Sequence, residues 1–128
     1  MKKGLKLGIA IVISVVAIVA ISLYKYARDS PLRISGEEAK ERLGAKQFDT
    51  VVDVRTDIER KNLGFYPGSL HIPSAELESR AAKELPNKAA RILVYCNTGQ
   101  RARVATEKLK EMGYKNAVYI AEGHSALL

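Results

Sequence analysis

The polar and apolar positions divide the chain into two unlike parts. From Leu7 to Tyr24, "LGIAIVISVVAIVAISLY", no residue is charged, whereas the apolar positions beyond it come in short periodic sets. A helix rises about 1.5 Å per residue, so this run covers roughly 27 Å against a hydrocarbon core of about 30 Å. Lys6 and Lys25 bracket it and can snorkel across the difference, and Tyr24 and Tyr26 stand where interfacial rings are favoured. The pattern predicts a transmembrane helix that meets the lipid bilayer through residues 7–24, within an N-terminal unit 1–28 followed by a globular domain 29–128. A cleaved secretory signal is the competing reading, with "AIS" at Ala20–Ser22 as its cleavage site, but the run is longer than the usual signal core. A soluble core helix would have to be buried on every side, which so small a domain cannot arrange.

In the globular part the period switches between buried strand and amphipathic helix. Ser35 and Glu38 stand at capping-box spacing ahead of a helix with Ala39 and Leu43 on its buried face. "DTVVDVR" is a valine-rich run of the kind found in buried parallel strands, and it ends at Asp53–Arg55. A short helical turn and a Gly/Pro break follow, then a brief strand around Leu70–Ile72. Leu77, Ala81 and Leu85 recur at helical spacing before Pro86, and Ile92–Tyr95 is the next strand. Ala102, Ala105, Leu109 and Met112 form one stripe of a helix that Gly113 ends, and "NAVYI" is the last strand. Strands that alternate with helices predict an α/β fold, a parallel sheet with helices on both faces.

The net charge of +7 changes meaning once it is divided along the chain. From Asp29 onward, 16 Lys and Arg face 14 Asp and Glu, which leaves +2 on the globular part. The remaining excess flanks the apolar run, and no basic stripe with interleaved aromatics exists, so no nucleic-acid partner is expected. The basic residues leave the domain either cytoplasmic or extracytoplasmic: Lys25, Arg28, Arg33, Lys40 and Arg42 outnumber the three leading lysines, yet the short lysine-rich start is that of an export signal. One cysteine allows no internal disulfide, and with two isolated histidines no metal site is expected.

That cysteine, Cys96, falls between a strand end and a helix start. Unpaired backbone N–H groups and the helix dipole favour negative charge at such a position. Gly99 lets the loop turn its N–H groups toward one centre, Asn97, Thr98 and Gln100 can add side-chain donors, and Arg101 can add a fixed positive charge. The combination is an anion cradle around a nucleophilic sulfur, although cysteine is also a common small core residue.

Four blocks carry a family resemblance: "VVDVR" at 51–55, "GFYPGSLHIP" at 64–73, "VYCNTGQRA" at 94–102 and "LKEMGYKNAVYIAEG" at 109–123. Through them residues 33–128 resemble the rhodanese family of sulfurtransferases, in particular its small exported single-domain members of the phage-shock type. The resemblance implies a rhodanese-like parallel sheet of about five strands. It also implies that Cys96 attacks the outer sulfur of a small anionic donor such as thiosulfate, holds it as a persulfide, and passes it to a thiol or cyanide-like acceptor without a cofactor. Asn97, Thr98, Gly99, Gln100 and Arg101 would cradle that persulfide. Asp53 and Arg55 would support the site from behind, although a buried polar pair that merely fixes the strand end fits them equally well.

The sequence departs from the family pattern in three places. Phe65 stands where a histidine is usual, Glu122-Gly123 replaces Gly-Gly, and five residues follow Gly123. His71 is expected to be structural, His124 to lie near the site, and Tyr95 and Tyr119 to fill the core. Two other readings stay open: a non-enzymatic binding or sulfur-carrier module on the same fold, and a phosphatase or arsenate reductase. Against the second stands the loop, in which four residues separate Cys96 from Arg101 where the related phosphatases have five.

Overall fold

The computed structural model describes residues 2–128, with the side chains at 26–29 outside the description, among them Tyr26 and Arg28 of the expected flank. The first helix, α1 (Lys2–Asp29), holds the whole apolar run. Leu7, Ile13, Ile18 and Leu23 are each about half exposed or more, and the apolar window buries none of its residues in the protein. A soluble core helix is thereby excluded, and α1 is a candidate span.

The domain begins with α2 (Gly36–Gly44), whose first turn is capped by Ser35 Oγ accepting from the Glu38 N–H. Then come β1 (Thr50–Asp53), α3 (Asp57–Leu63) and β2 (Leu70–His71). A 3-10 turn at Ser74–Glu76 leads into α4 (Leu77–Glu84), followed by β3 (Ile92–Tyr95), α5 (Gln100–Glu111) and β4 (Ala117–Tyr119). A second 3-10 turn, His124–Leu127, lies near the C-terminus.

All strand pairs are parallel, in the order β2-β1-β3-β4. The fold is the expected α/β sheet flanked by helices, with four strands instead of about five. The fifth position is a single bridge, Arg33 beside Tyr119, where Ile34 N–H donates to Tyr119 O and Tyr119 N–H to Leu32 O. Pro31 lies just ahead of this bridge and Ser35 caps a helix just after it, which leaves no length for a strand.

The two faces of β3 show how the pleat feeds two cores. Ile92, Val94 and Cys96 enter one cluster with Leu77, Ala81, Ala105 and Leu109 of α4 and α5. Leu93 and Tyr95 enter the other, with Ala39 of α2, Ile120 and Leu127. From β1 the chain crosses to β2 on one side, and from β3 to β4 on the other. The carboxyl ends of β1 and β3 therefore flank the crevice where the direction of winding reverses, the usual ligand position in open parallel sheets.

Candidate functional site

Cys96 emerges from β3 into this crevice with its side chain buried. Gly99, in the left-handed region at φ 96°, turns its N–H back to donate to Cys96 Sγ at 3.1 Å, and α5 starts at the next residue. A Cβ on Gly99 would lie 2.7 Å from Ala121 Cα, so the loop needs glycine both for its dihedral and for its close approach to the strand after β4. The sulfur thus sits at the amino end of a twelve-residue helix with a backbone donor on it, an environment that favours negative charge.

Beneath the loop, Asp53, His71 and Tyr95 lie level across three strands. Asp53 is fully buried and accepts from Arg55 N–H and Nε on one oxygen, and from Arg55 Nη2, Arg60 Nη1 and Tyr95 OH on the other. Burial pushes its carboxyl up, but the Arg55 bonds outweigh burial and hold it below the ordinary 3.8. Arg55, also fully buried, donates onward to Gly64 O at 2.7 Å and to Asn97 Oδ1 at 3.3 Å. The pair at the end of β1 therefore touches the loop after Cys96 at its first residue, through Asn97.

Tyr95, expected to be core filler, is part of this network. Its hydroxyl accepts from Tyr66 N–H at 3.1 Å while donating to Asp53. Burial pushes the phenol up, which keeps it a neutral donor. His71 lies with Nε2 2.7 Å from Arg55 O and Nδ1 3.4 Å from Asp57 Oδ1. His124 lies at the rim, its ring centre 6.3 Å from that of Tyr95 and its Nε2 3.4 Å from where a Gly64 Cβ would stand.

The loop side chains behave differently from the expectation of a ring of donors aimed at sulfur. Asn97 Nδ2 donates to Glu59 at 2.6 Å, Thr98 is exposed, and Gln100 Oε1 is buried without a hydrogen-bond partner among the described residues. Arg101 forks onto both Glu59 oxygens at 2.6 and 2.7 Å. Glu59 was missed by sequence reasoning. It is held in place by its own helix start, where Thr56 Oγ1 accepts from Glu59 N–H and Glu59 accepts from Thr56 N–H. The Arg101 bonds hold its carboxyl well below the usual range. The capping-box spacing was visible in the chain, whereas its partner lies 42 residues away.

The wall of the crevice comes from Ala121–His124. Gly123 lies against the Asn97 and Cys96 carbonyls, and Glu122 turns away to meet Arg33 at 3.1 Å, so the departure from Gly-Gly puts a side chain outside the site. Phe65 packs under Arg60, whose guanidinium lies 3.9 Å from the ring centre. On the flank, a cavity of about 260 Å³ between Thr98, Gln100 and Ala20, Leu23 and Tyr24 brings the end of α1 beside the loop. Among the described residues no cluster of His, Cys, Asp and Glu could hold a metal ion.

A parallel sheet with a buried cysteine at the switch point, on a loop that opens a helix, defines an open α/β domain with one cysteine at the edge where such sheets usually hold their ligands. Residues 35–126 match the family model for the rhodanese-like domain, and the chain belongs to that family. It is 33% identical over 90 residues to YrkF of Bacillus subtilis, named as a proposed sulfur carrier protein, covering 70% of this chain and 47% of that one. It is 38% identical over 63 residues to the thiosulfate sulfurtransferase PspE of Escherichia coli, covering 49% of this chain and 60% of that one. The chain thus spans about half the length of these relatives. A solved structure of RPA3614 from Rhodopseudomonas palustris, a protein of unknown function described as a possible tyrosine phosphatase, superposes with TM-score 0.69 at 25% identity, covering 82% of this chain and 85% of that one.

Proposed function

We propose that the chain is a membrane-anchored sulfurtransferase that moves a sulfane sulfur through a persulfide on Cys96. The observation that carries this reading is the Gly99 N–H on Cys96 Sγ at the start of α5, in a chain of the rhodanese-like family. The Cys96 thiolate attacks the outer sulfur of the donor, the new S–S bond forms as the donor's own S–S bond breaks, and the donor leaves with that electron pair, as sulfite from thiosulfate or as a thiolate from a persulfide. An acceptor thiolate or cyanide then takes the sulfur and returns the Cys96 thiolate. The Cys96 thiolate that opens the first half-reaction and is regenerated by the second carries one negative charge, which the α5 amino end and the loop amides stabilise without a separate base. Asn97–Arg101 form the cradle, and Asp53, Arg55 and Tyr95 fix its position. The anchor is the apolar run of α1, whose large apolar side chains are about half exposed or more and require an apolar surrounding.

A phosphatase reading is supported by the description of RPA3614, but the residues beside the loop disfavour it. Cys96 and Arg101 enclose four residues, and a phosphatase also needs an acid for its leaving group. Asp53 and Glu59 are each bound by arginines that hold them ionised, so neither is placed to give up a proton. A pure sulfur carrier is the nearer alternative, given the likeness to YrkF.

Steady-state transfer by the full chain in detergent separates these. The proposal expects repeated turnovers from a sulfane donor to a thiol, lost by more than about a thousandfold in Cys96→Ser. Loading of a single sulfur without turnover supports the carrier, and aryl phosphate hydrolysis that disappears in Cys96→Ser supports the phosphatase.

A further inference from the structure

Outside α1, the large apolar side chains exposed among the described residues are Ile58, Leu63, Phe65, Val104 and Leu128. Leu128 ends the chain. The others lie on the elements that surround the Cys96 loop: α3, the segment that follows it, and the second turn of α5. α3 is held against the loop by Glu59, which takes Asn97 and Arg101, and the Gly64 carbonyl behind it takes Arg55. A surface helix normally turns its apolar side chains into its own domain, yet α3 buries none, and Ile58 and Leu63 are 72% and 57% exposed. None of these side chains joins either core cluster. The end of α1 reaches the same loop, since Ala20, Leu23 and Tyr24 line a cavity with Thr98 and Gln100. Ala20 to Tyr24 covers about 6 Å of helix just before Lys25 closes the apolar run, so the loop sits at the level where that run would meet the headgroups. The opposite end of the sheet is polar, with Asp49, Arg91 and Lys115 exposed just ahead of β1, β3 and β4.

We infer that the rim of the Cys96 crevice docks on a lipid surface, with Ile58, Leu63, Phe65 and Val104 seated among the headgroups and upper acyl chains of the membrane that α1 spans. This rests on the anchor reading above. Asp57 and Glu59 balance Arg60 and Lys61 on α3, so the attraction comes from apolar burial and needs no anionic headgroup. The mouth of the crevice, where His124 stands beside Gly64, then opens onto the interfacial layer.

The chain contains no tryptophan, so a single introduced one reports on its own position. The test reads tryptophan quenching by lipid brominated near the headgroup, with the full chain reconstituted in phosphatidylcholine vesicles. Leu63→Trp and Phe65→Trp are expected to lose about half of their emission, and Lys115→Trp, at the far end of the sheet, less than about a tenth. Ile58→Asp with Leu63→Asp, placed in the Phe65→Trp chain, is expected to bring quenching down to the Lys115→Trp level. Both changes fall on exposed side chains outside the core clusters, so the fold is kept. Quenching must also persist at high salt, which screens attraction between charges. Quenching in Leu63→Trp and Phe65→Trp no greater than in Lys115→Trp, quenching that survives the double change, or quenching that salt abolishes overturns the assignment. A dimer in detergent that the double change dissolves, without quenching in vesicles, gives the face to a second copy of the chain and overturns it too. Release of the chain from the vesicles by alkaline carbonate overturns the anchor reading itself, and the docking with it, whereas retention without quenching overturns the docking alone.

Discussion

Gly99 carries two constraints that no other residue satisfies together. Its φ of 96° costs an L-residue about 1–2 kcal/mol, and the approach to Ala121 leaves no room for a methyl group. Gly99→Ala is therefore expected to destabilise the domain by roughly 2–5 kcal/mol, the sum of dihedral strain and overpacking, as read by the midpoint of urea unfolding. It should also lower sulfur transfer, because relief of the overlap moves the N–H off Cys96 Sγ. A stable variant with full activity would show that the loop has another geometry. The glycine was legible in the sequence, since a strand-to-helix loop after a cysteine calls for one. The close approach to Ala121 was not, because it depends on where the chain returns after β4.

At the scale of elements, Asp53 binds β1 to β3 and α3 through Arg55, Tyr95 and Arg60. Its folded pKa lies below the unfolded value of 3.8, so the stability it contributes is complete above about pH 4 and is lost as pH falls through the depressed folded value. Removing one partner of a buried pair costs about 3–5 kcal/mol, so Asp53→Asn is expected to be less stable by that order at pH 7. The gap between wild type and Asp53→Asn should stay constant from pH 7 to about 5 and narrow only below about 4. A gap that already closes between pH 7 and 5 contradicts the depressed pKa.

These elements also show how far the chain could be read in advance. The runs Val51–Asp53 and Ile92–Tyr95 are buried on both faces, so composition alone marked them as parallel strands. The stripe Ala102, Ala105 and Leu109 marked α5 in the same way. The polar residues gave less. Tyr95 has the same strand periodicity whether its hydroxyl is idle or bonded to Asp53, and Glu59 looks like an ordinary capping residue until Arg101 folds against it. Cross-chain pairing of polar tips leaves no period in the sequence, which is why the network behind Cys96 emerged only with the fold.

For the whole molecule the two parts have opposite solvent requirements. The domain closes its own cores, while α1 presents apolar side chains on every side. Membranes washed with alkaline carbonate are expected to retain the chain, with an intact mass that includes the residues ahead of Leu23. Release into the wash, or a mass that begins just after Ser22, would instead identify a cleaved signal. Retention would place the Cys96 loop close to the headgroup region, because the last turns of the apolar run line the cavity beside Thr98 and Gln100.

The most direct measurement treats the intact protein with one equivalent of a sulfane donor, traps reactive sulfur, and maps it by peptide mass spectrometry. The account predicts one additional sulfur atom on Cys96, absent in Cys96→Ser and removed by an acceptor thiol. A Cys96 that stays unmodified, or holds sulfur that no thiol can take, would contradict it.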